Sequence, residues 1–336
     1  MRFVVLGAGA IGGYVGAALA HSGADVTLIA RGQHLSAIRD HGIRVFSSRG
    51  DFSATPAATD SIEVVADADV VFLGLKAYSL PELAPRIADL LQPRTAAIAA
   101  QNGIPWWYFQ HHEGPLAGRV LASVDPCGVV SAAINADSVI GCVVYASTEI
   151  VAPGVIKHIE GTRFTLGEPD GTASERCEVI SNALVAAGLK CPVNQRIRDE
   201  IWLKLLGNAA FNPTTALTGA TLAQLGQLPE MVTLLRAVME ECAAVAGALG
   251  AKIPVSLERR LQAGFEVGDH KTSMLQDLEA GKPLEIDCIT GAVIEIADQL
   301  GVPVPHTPTI HACTKLLDTR TASQRGDPLP AVNPTA

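Results

Sequence analysis

The chain has 336 residues, 48% hydrophobic and 18% charged, with a formal net charge of −9. That length suits about two domains with proper cores, and the composition excludes a disordered chain. The acidic balance and the lack of any basic run argue against nucleic acid or an anionic membrane as partner, so an anionic ligand must be held by a few local cations.

Arg2–Leu6 is a β-branched run without polar alternation and reads as a buried parallel strand. Gly7-Ala8-Gly9-Ala10-Ile11-Gly12 follows, then a helical pattern over Tyr14–His21, a break at Gly23 and a second strand, Asp25–Ala30. Strand, glycine turn, helix and strand in this order turn a weak G-x-G-x-x-G into a dinucleotide-binding signal. Gly7 permits the tight turn, Gly9 lets the backbone approach a pyrophosphate, and Gly12 lets helix and strand pack closely. The phosphates would rest on the free N–H groups at the helix start. These first residues are apolar enough to imitate a signal or membrane segment, but they are glycine-rich and lack a basic flank with a cleavage site.

The end of the second strand bears on the cofactor. An NAD enzyme places Asp or Glu there, whereas this chain reads Ile29-Ala30-Arg31-Gly32 with no acid before Asp40. Arg31 can pair bidentately with a 2′-phosphate, which favours NADP(H), although an ordinary loop arginine would look the same. Val70–Leu75 is a further strand ending at Lys76, Ala77–Leu91 is helical, and Ala96–Ala100 is a strand ending at Gln101-Asn102-Gly103. Arg31, Lys76 and Asn102 thus fall at the carboxyl ends of strands, the rim where open α/β sheets bind ligands.

Trp106-Trp107-Tyr108-Phe109 reads as core in preference to a lid. Arg119–Val124, Val139–Ser147, Gly154–Glu160 and Phe164–Gly167 are strand-like and suggest an antiparallel extension of the first sheet. Helices dominate from Ser174, and after the short Lys190–Val193 run they are expected at Pro229–Leu249, Ser256–Val267, Ser273–Ala280, Leu284–Leu300 and His306–Arg320. The expected class is therefore α/β, a Rossmann-type domain over 1–194 followed by an all-α domain over 195–320. The Pro- and Ala-rich stretch 321–336 reads as a disordered tail. Met231–Leu249 is apolar enough for a core helix or a homodimer surface. Seven scattered cysteines without a Cys-x-x-Cys pair read as reduced cytoplasmic thiols. No histidine stands at metal-ligand spacing with an acidic partner, so no metal is expected.

Within Glu200–Pro213 the apolar residues run nearly all round, as a buried helix requires. Lys204, Asn208 and Asn212 interrupt them, each four apart. At about 100° per residue they drift roughly 80° and form one polar stripe. A lysine there needs an anion or a wet cleft, or else it snorkels to the surface. Thr272-Ser273 and Glu285 stand at helix starts, where hydroxyls and carboxylates commonly serve as caps or dipole partners.

Taken together, these motifs resemble the ketopantoate reductase (2-dehydropantoate 2-reductase) family. They are Gly-Ala-Gly-Ala-Ile-Gly at 7–12, Gln-Asn-Gly at 101–103, Ala-Pro-Gly-Val-Ile-Lys-His at 152–158, Lys204-x-x-x-Asn208-x-x-x-Asn212-Pro213, and Ser273-Met-Leu-Gln-Asp followed by Glu285-Ile-Asp. The likeness runs in order to about residue 317. It implies NADPH and substrate in a cleft between a Rossmann domain and a helical domain. It further implies Lys204 as general acid and Glu285 as the residue positioning lysine and substrate. Asn208, Asn212 and Ser273 would hold the substrate's hydroxyl and carboxylate, Asn102 would work at the cofactor–substrate junction, and Arg31 and Lys76 would contact the adenosine phosphate. His270 stands where many members place a substrate-binding asparagine, and Ile104-Pro105-Trp106-Trp107 replaces smaller or acidic residues.

Physical chemistry suits those roles. A 2-oxo acid needs its carboxylate held, its ketone oxygen protonated and C2 set against the nicotinamide. A cleft lysine supplies charge and proton, and a nearby carboxylate keeps it protonated. The expected activity is NADPH-dependent reduction of a 2-oxo acid, ketopantoate first. The alternatives are another 2-oxo acid or an imine on the same fold, or a non-catalytic NADP(H) sensor, which would have no need of a proton donor.

Overall fold

In the computed structural model, residues 1–325 are described, and the chain divides into two compact units, Met1–Ile197 and a second from Arg198 onward. The first unit opens with β1 (Arg2–Leu6), α1 (Ala10–His21), β2 (Asp25–Ile29), α2 (Gly32–His41), β3 (Ile43–Ser47), β4 (Phe52–Ala54) and β5 (Ala57–Thr59). It continues with β6 (Val70–Leu73), α3 (Leu80–Leu90), β7 (Ala96–Ala99), α4 (Val129–Ala133), β8 (Val139–Val144), β9 (Ser147–Ala152), β10 (Val155–Glu160), β11 (Phe164–Gly167) and α5 (Glu175–Ala186).

The main sheet has the order β11-β8-β7-β6-β1-β2-β5, parallel throughout except for β11, which runs antiparallel to β8. Its central strands are short apolar runs, because helices cover both faces and leave no wet side to demand alternation. Val4, Val5, Val71 and Ala97 are fully buried. The antiparallel extension is thus β11 alone, backed by the Lys190–Val193 run, whose Lys190 and Pro192 carbonyls accept from Phe164 and Leu166.

β9 and β10 go elsewhere. They join β3 and β4 in a separate sheet of order β4-β3-β10-β9, which packs on α1 through Ile156 and Ile43. Strand alternation shows that a segment pairs, but not with what, and β3–β5 lie in a polar stretch that the apolar patterning does not single out. Arg119–Val124, expected as a strand, is a series of turns closed by Arg119 N–H to Leu116 O and Val124 N–H to Leu121 O. Its residues have strand propensity but no partner strand. The aromatic run is core, with Trp107 and Tyr108 at most 1% exposed.

The second unit is helical: α6 (Ile197–Thr218), α7 (Leu222–Gly226), α8 (Pro229–Ala248), α9 (Leu257–Glu266), α10 (Ser273–Glu279), α11 (Ala292–Leu300) and α12 (Thr307–Arg325). α8 buries Leu235, Val238, Met239, Cys242 and Val245 within this unit, the behaviour of a core helix. The expected helix Leu284–Leu300 is α11 preceded by one turn of π-helix, Asp287–Gly291. The tail expectation is corrected over 321–325, which continue α12; the rest of it, 326–336, lies outside the described residues. Among the described residues no helix is long and apolar enough to cross a membrane.

Candidate active site

After Leu6 the chain reverses at Gly7, whose φ of +96° favours glycine. Gly7 and Ala8 donate to Ile29 O at 3.3 and 2.9 Å, so the turn lies against the end of β2. A Cβ on Gly12 would stand 2.1 Å from Gly7 O, and one on Gly74 2.8 Å from the same oxygen. Helix, turn and β6 therefore meet backbone to backbone. Gly9 is the opposite case: a Cβ there would meet nothing within 4 Å, and no side chain caps the helix that begins with Ala10 and Ile11. The turn presents uncapped amides and the positive end of α1 to open space, a fit for a pyrophosphate.

Arg31 is exposed at the N-cap of α2, directly after β2. Lys76 caps a 3₁₀ turn after β6, and Asn102 follows β7; both are half-buried. The glycine turn, Arg31, Lys76 and Asn102 thus follow the carboxyl ends of four adjacent parallel strands. Gln101 fastens two of those ends, its Nε2 donating to Leu73 O at 2.9 Å and Leu75 O at 3.4 Å. Sequence patterning passes over Gln101, although an amide between a strand end and an Asn-Gly turn is the available signal.

The 152–158 motif acts by packing. Gly154 N–H donates to His34 Nδ1 at 3.1 Å, and the His158 ring stacks on Tyr14 at 4.7 Å. His158 Nε2 donates to Gly161 O and its Nδ1 accepts from the Ser47 hydroxyl. The second sheet therefore braces α1 and α2, the helices flanking the glycine turn. Burial holds the His34 pKa below its usual value, which the Ala8 carbonyl only partly offsets.

In the second unit, α6 buries Trp202, Leu205, Leu206, Ala209 and Ala210. Lys204 and Asn208 are half-buried on its stripe, and Asn212 is buried. Gly207 adjoins that stripe and makes room for Arg260: a Cβ on Gly207 would fall 2.3 Å from Nη2, while Arg260 Nε donates to Leu203 O at 3.3 Å. A second cation thus lies beside the lysine helix. Its sequence signal is a lone glycine inside a bulky apolar helix.

Pro213 removes the N–H that would bond Ala209 O, and hydroxyls take over the helix end. Thr215 Oγ1 donates to Asn212 O at 3.0 Å and lies 2.5 Å from Thr272 Oγ1, which caps α10 by accepting from Leu275 N. These bonds tie the backbone of Asn212 to the start of the helix that carries Ser273, itself exposed. His270 is half-buried, and its carbonyl accepts from Leu222 N, pinning it to the start of α7. Glu285 is buried, on the stretch between α10 and the π-helix. The structure therefore links Asn212 to Ser273, sets Lys204 and Asn208 one turn apart on α6 and brings Arg260 of α9 against that helix at Gly207, while Glu285 comes from a separate segment. No group of three or more His, Cys, Asp or Glu among the described residues could hold a metal ion.

Two family models match: one described as ketopantoate reductase PanE/ApbA over residues 3–171, the other as its C-terminal part over residues 196–318. The 2-dehydropantoate 2-reductase of Mesorhizobium japonicum is 45% identical over 327 residues, covering 97% of this chain and 99% of that protein. A structure named as a ketopantoate reductase from Ralstonia solanacearum matches with a TM-score of 0.89 at 38% identity, covering 97% of this chain and 99% of that one. The ternary structure of D-mandelate dehydrogenase with NADH and anilino(oxo)acetate matches with a TM-score of 0.80 over 96% of this chain and 99% of that one, a likeness of fold at 19% identity.

Proposed function

This chain belongs to the ketopantoate reductase family, and from that premise we propose that it reduces ketopantoate to pantoate with NADPH, using Lys204 as the proton donor. The single observation carrying the reading is the Lys204–Asn208–Asn212 stripe on an otherwise buried helix, with Asn212 tied through Thr215 and Thr272 to Ser273. A half-buried lysine on such a helix is costly unless an anion meets it.

Bound at the glycine turn, NADPH would supply the hydride that C2 of the 2-oxo acid accepts. Arg31 would pair with the 2′-phosphate, Lys76 would add positive charge at the same rim, and Asn102 would orient the nicotinamide end. Lys204 donates a hydrogen bond to the ketone oxygen, stabilises the developing alkoxide and passes it a proton, giving the 2-hydroxy acid and a neutral amine that solvent reprotonates. Glu285 keeps the lysine charged before that transfer. Asn208, Asn212 and Ser273 fix the substrate's hydroxyl and carboxylate so that C2 stays in line. His270, standing where an asparagine would, would add a contact to the substrate's hydroxyl. Arg260 strengthens the local positive field in an acidic chain.

Seven cysteines, none of them in a disulfide, suit the cytoplasm as the compartment, and light scattering tests whether the chain forms a homodimer. The test of function is NADPH oxidation with ketopantoate beside other 2-oxo acids, with Lys204→Ala as control. Turnover of ketopantoate lost in the control supports the reading; turnover of a different 2-oxo acid alone overturns the substrate and leaves the mechanism.

A further inference from the structure

α12 and the segment that carries Glu285 are joined by polar contacts outside the site described above. Leu284 N–H donates to Asp318 Oδ1 at 3.2 Å. Asp287 pairs with Lys315, and its Oδ1 lies 4.0 Å from His311 Nε2. Thr290 Oγ1 lies 2.9 Å from His311 Nδ1 and donates to Ile286 O at 3.2 Å. A hydroxyl has one proton to give, so His311 must donate from Nδ1, and the series His311–Thr290–Ile286 ends on the backbone of the residue after Glu285. His311, Lys315 and Asp318 stand at i, i+4 and i+7, one face of α12. Their partners Leu284, Asp287 and Thr290 are spaced three apart and bracket Glu285.

The segment so gripped is irregular. Asp287–Gly291 is π-helical, a form rare in proteins and frequent at functional sites. The extra residue in a π-turn shifts everything before it around the helix axis, so Glu285 points where it does only while the turn persists. The far end of α12 is anchored separately: buried Glu241 accepts from the amides of His306 and Thr307.

We propose that Asp287, His311 and Lys315 are positioning residues that hold the π-turn and thereby aim Glu285 at the proton-donating lysine. The inference rests on the role given to Glu285 under the proposed function. None of the three touches substrate; each acts through Glu285.

A double-mutant cycle tests this, because a positioning effect must vanish when its target is removed. Lys315→Met and His311→Phe are made alone and with Glu285→Gln, and kcat, KM for ketopantoate and NADPH affinity are measured. The expected result for Lys315→Met alone is a kcat lowered about tenfold or more with NADPH affinity unchanged, since small misplacement is costly in a preorganised site. In the Glu285→Gln background the same change should alter kcat less than twofold, and Lys315→Arg should recover most of the activity. Hydrogen exchange of the amides of 286–291 should quicken in Lys315→Met while the rest of α12 stays protected. Equal losses in both backgrounds, or unchanged kcat in an active enzyme whose Glu285→Gln variant is impaired, would overturn the inference. An active wild type insensitive to Glu285→Gln would instead overturn the role given to Glu285, and the positioning claim with it.

Discussion

In the first unit the proposed ligand-facing chemistry is built on backbone, the amides at the start of α1 bared by glycines that lack a Cβ, with Arg31, Lys76 and Asn102 as side chains on its rim. In the second it is made of side chains, which must be carried into place by contacts between helices distant in sequence. Gly12 and Gly9 act through what they omit. In the proposed mechanism Lys204, Asn208, Ser273 and Glu285 act through what they present; Thr215 meeting Thr272 ties down the start of the Ser273 helix, and the contacts of α12 with the π-turn lie next to Glu285. A backbone site tolerates little change of shape but much change of neighbouring side chain; a side-chain site is the reverse.

The largest expected effect is on the side-chain half. Lys204→Ala should lower kcat by about 10²–10⁴-fold, the usual contribution of a positioned acid, with NADPH affinity unchanged. Stopped-flow turnover and fluorescence titration separate the two. A variant that loses NADPH binding as well would break the division of labour between the units.

The two glycines sharpen the other half. Gly12→Ala puts a Cβ 2.1 Å from Gly7 O, a backbone clash that cannot be relieved by a rotamer, and should destabilise the fold by more than about 3 kcal/mol in urea denaturation. Gly9→Ala meets nothing within 4 Å and should leave the denaturation midpoint in place while weakening NADPH binding about tenfold, because the methyl occupies the pyrophosphate's place. If both variants behave alike, Gly9 has no ligand-facing role.

Arg31→Ala should cost less than Gly12→Ala. It removes a bidentate partner for the 2′-phosphate, so NADPH affinity should fall by about 10- to 100-fold and NADH affinity hardly change. Equal losses for both cofactors would make Arg31 an ordinary cap of α2.

The contrast between the units also explains what could be read from the sequence. A backbone site writes itself locally: Gly7, Gly9 and Gly12 are close neighbours, and the strands on either side are short enough to recognise. The rim residues Arg31, Lys76 and Asn102 follow from strand ends alone. The stripe on α6 is legible too, since it needs one helix and its period. The second sheet is not, because β10 pairs with β3 more than a hundred residues away, and local pattern carries no information about such a partner. The same holds for Arg260 on Gly207, for Gln101 across two strand ends and for the π-turn, which looks in sequence like the first turn of an ordinary helix. Ser273 and Glu285 could be picked out only by resemblance, since their own surroundings read as plain helix starts.

The smallest effect comes from His34, which accepts from a backbone N–H in the first unit. His34 Nδ1 accepts from Gly154 N–H, which requires that nitrogen to be unprotonated. Burial lowers its pKa, so the folded state favours the neutral ring more than the unfolded chain does. The contribution to stability is therefore fully present above the unfolded value of about 6.5 and is lost as pH falls through the lower folded value. Protonation turns Nδ1 into a donor facing another donor, which loosens the hairpin turn from α2. The thermal midpoint should fall between about pH 7 and pH 5 by more in the wild type than in His34→Leu, and NADPH affinity should weaken over the same range in the wild type alone. A pH response identical in both proteins would show that the brace between the second sheet and the glycine turn stands without this bond, and that the packing of Tyr14 on His158 carries it instead.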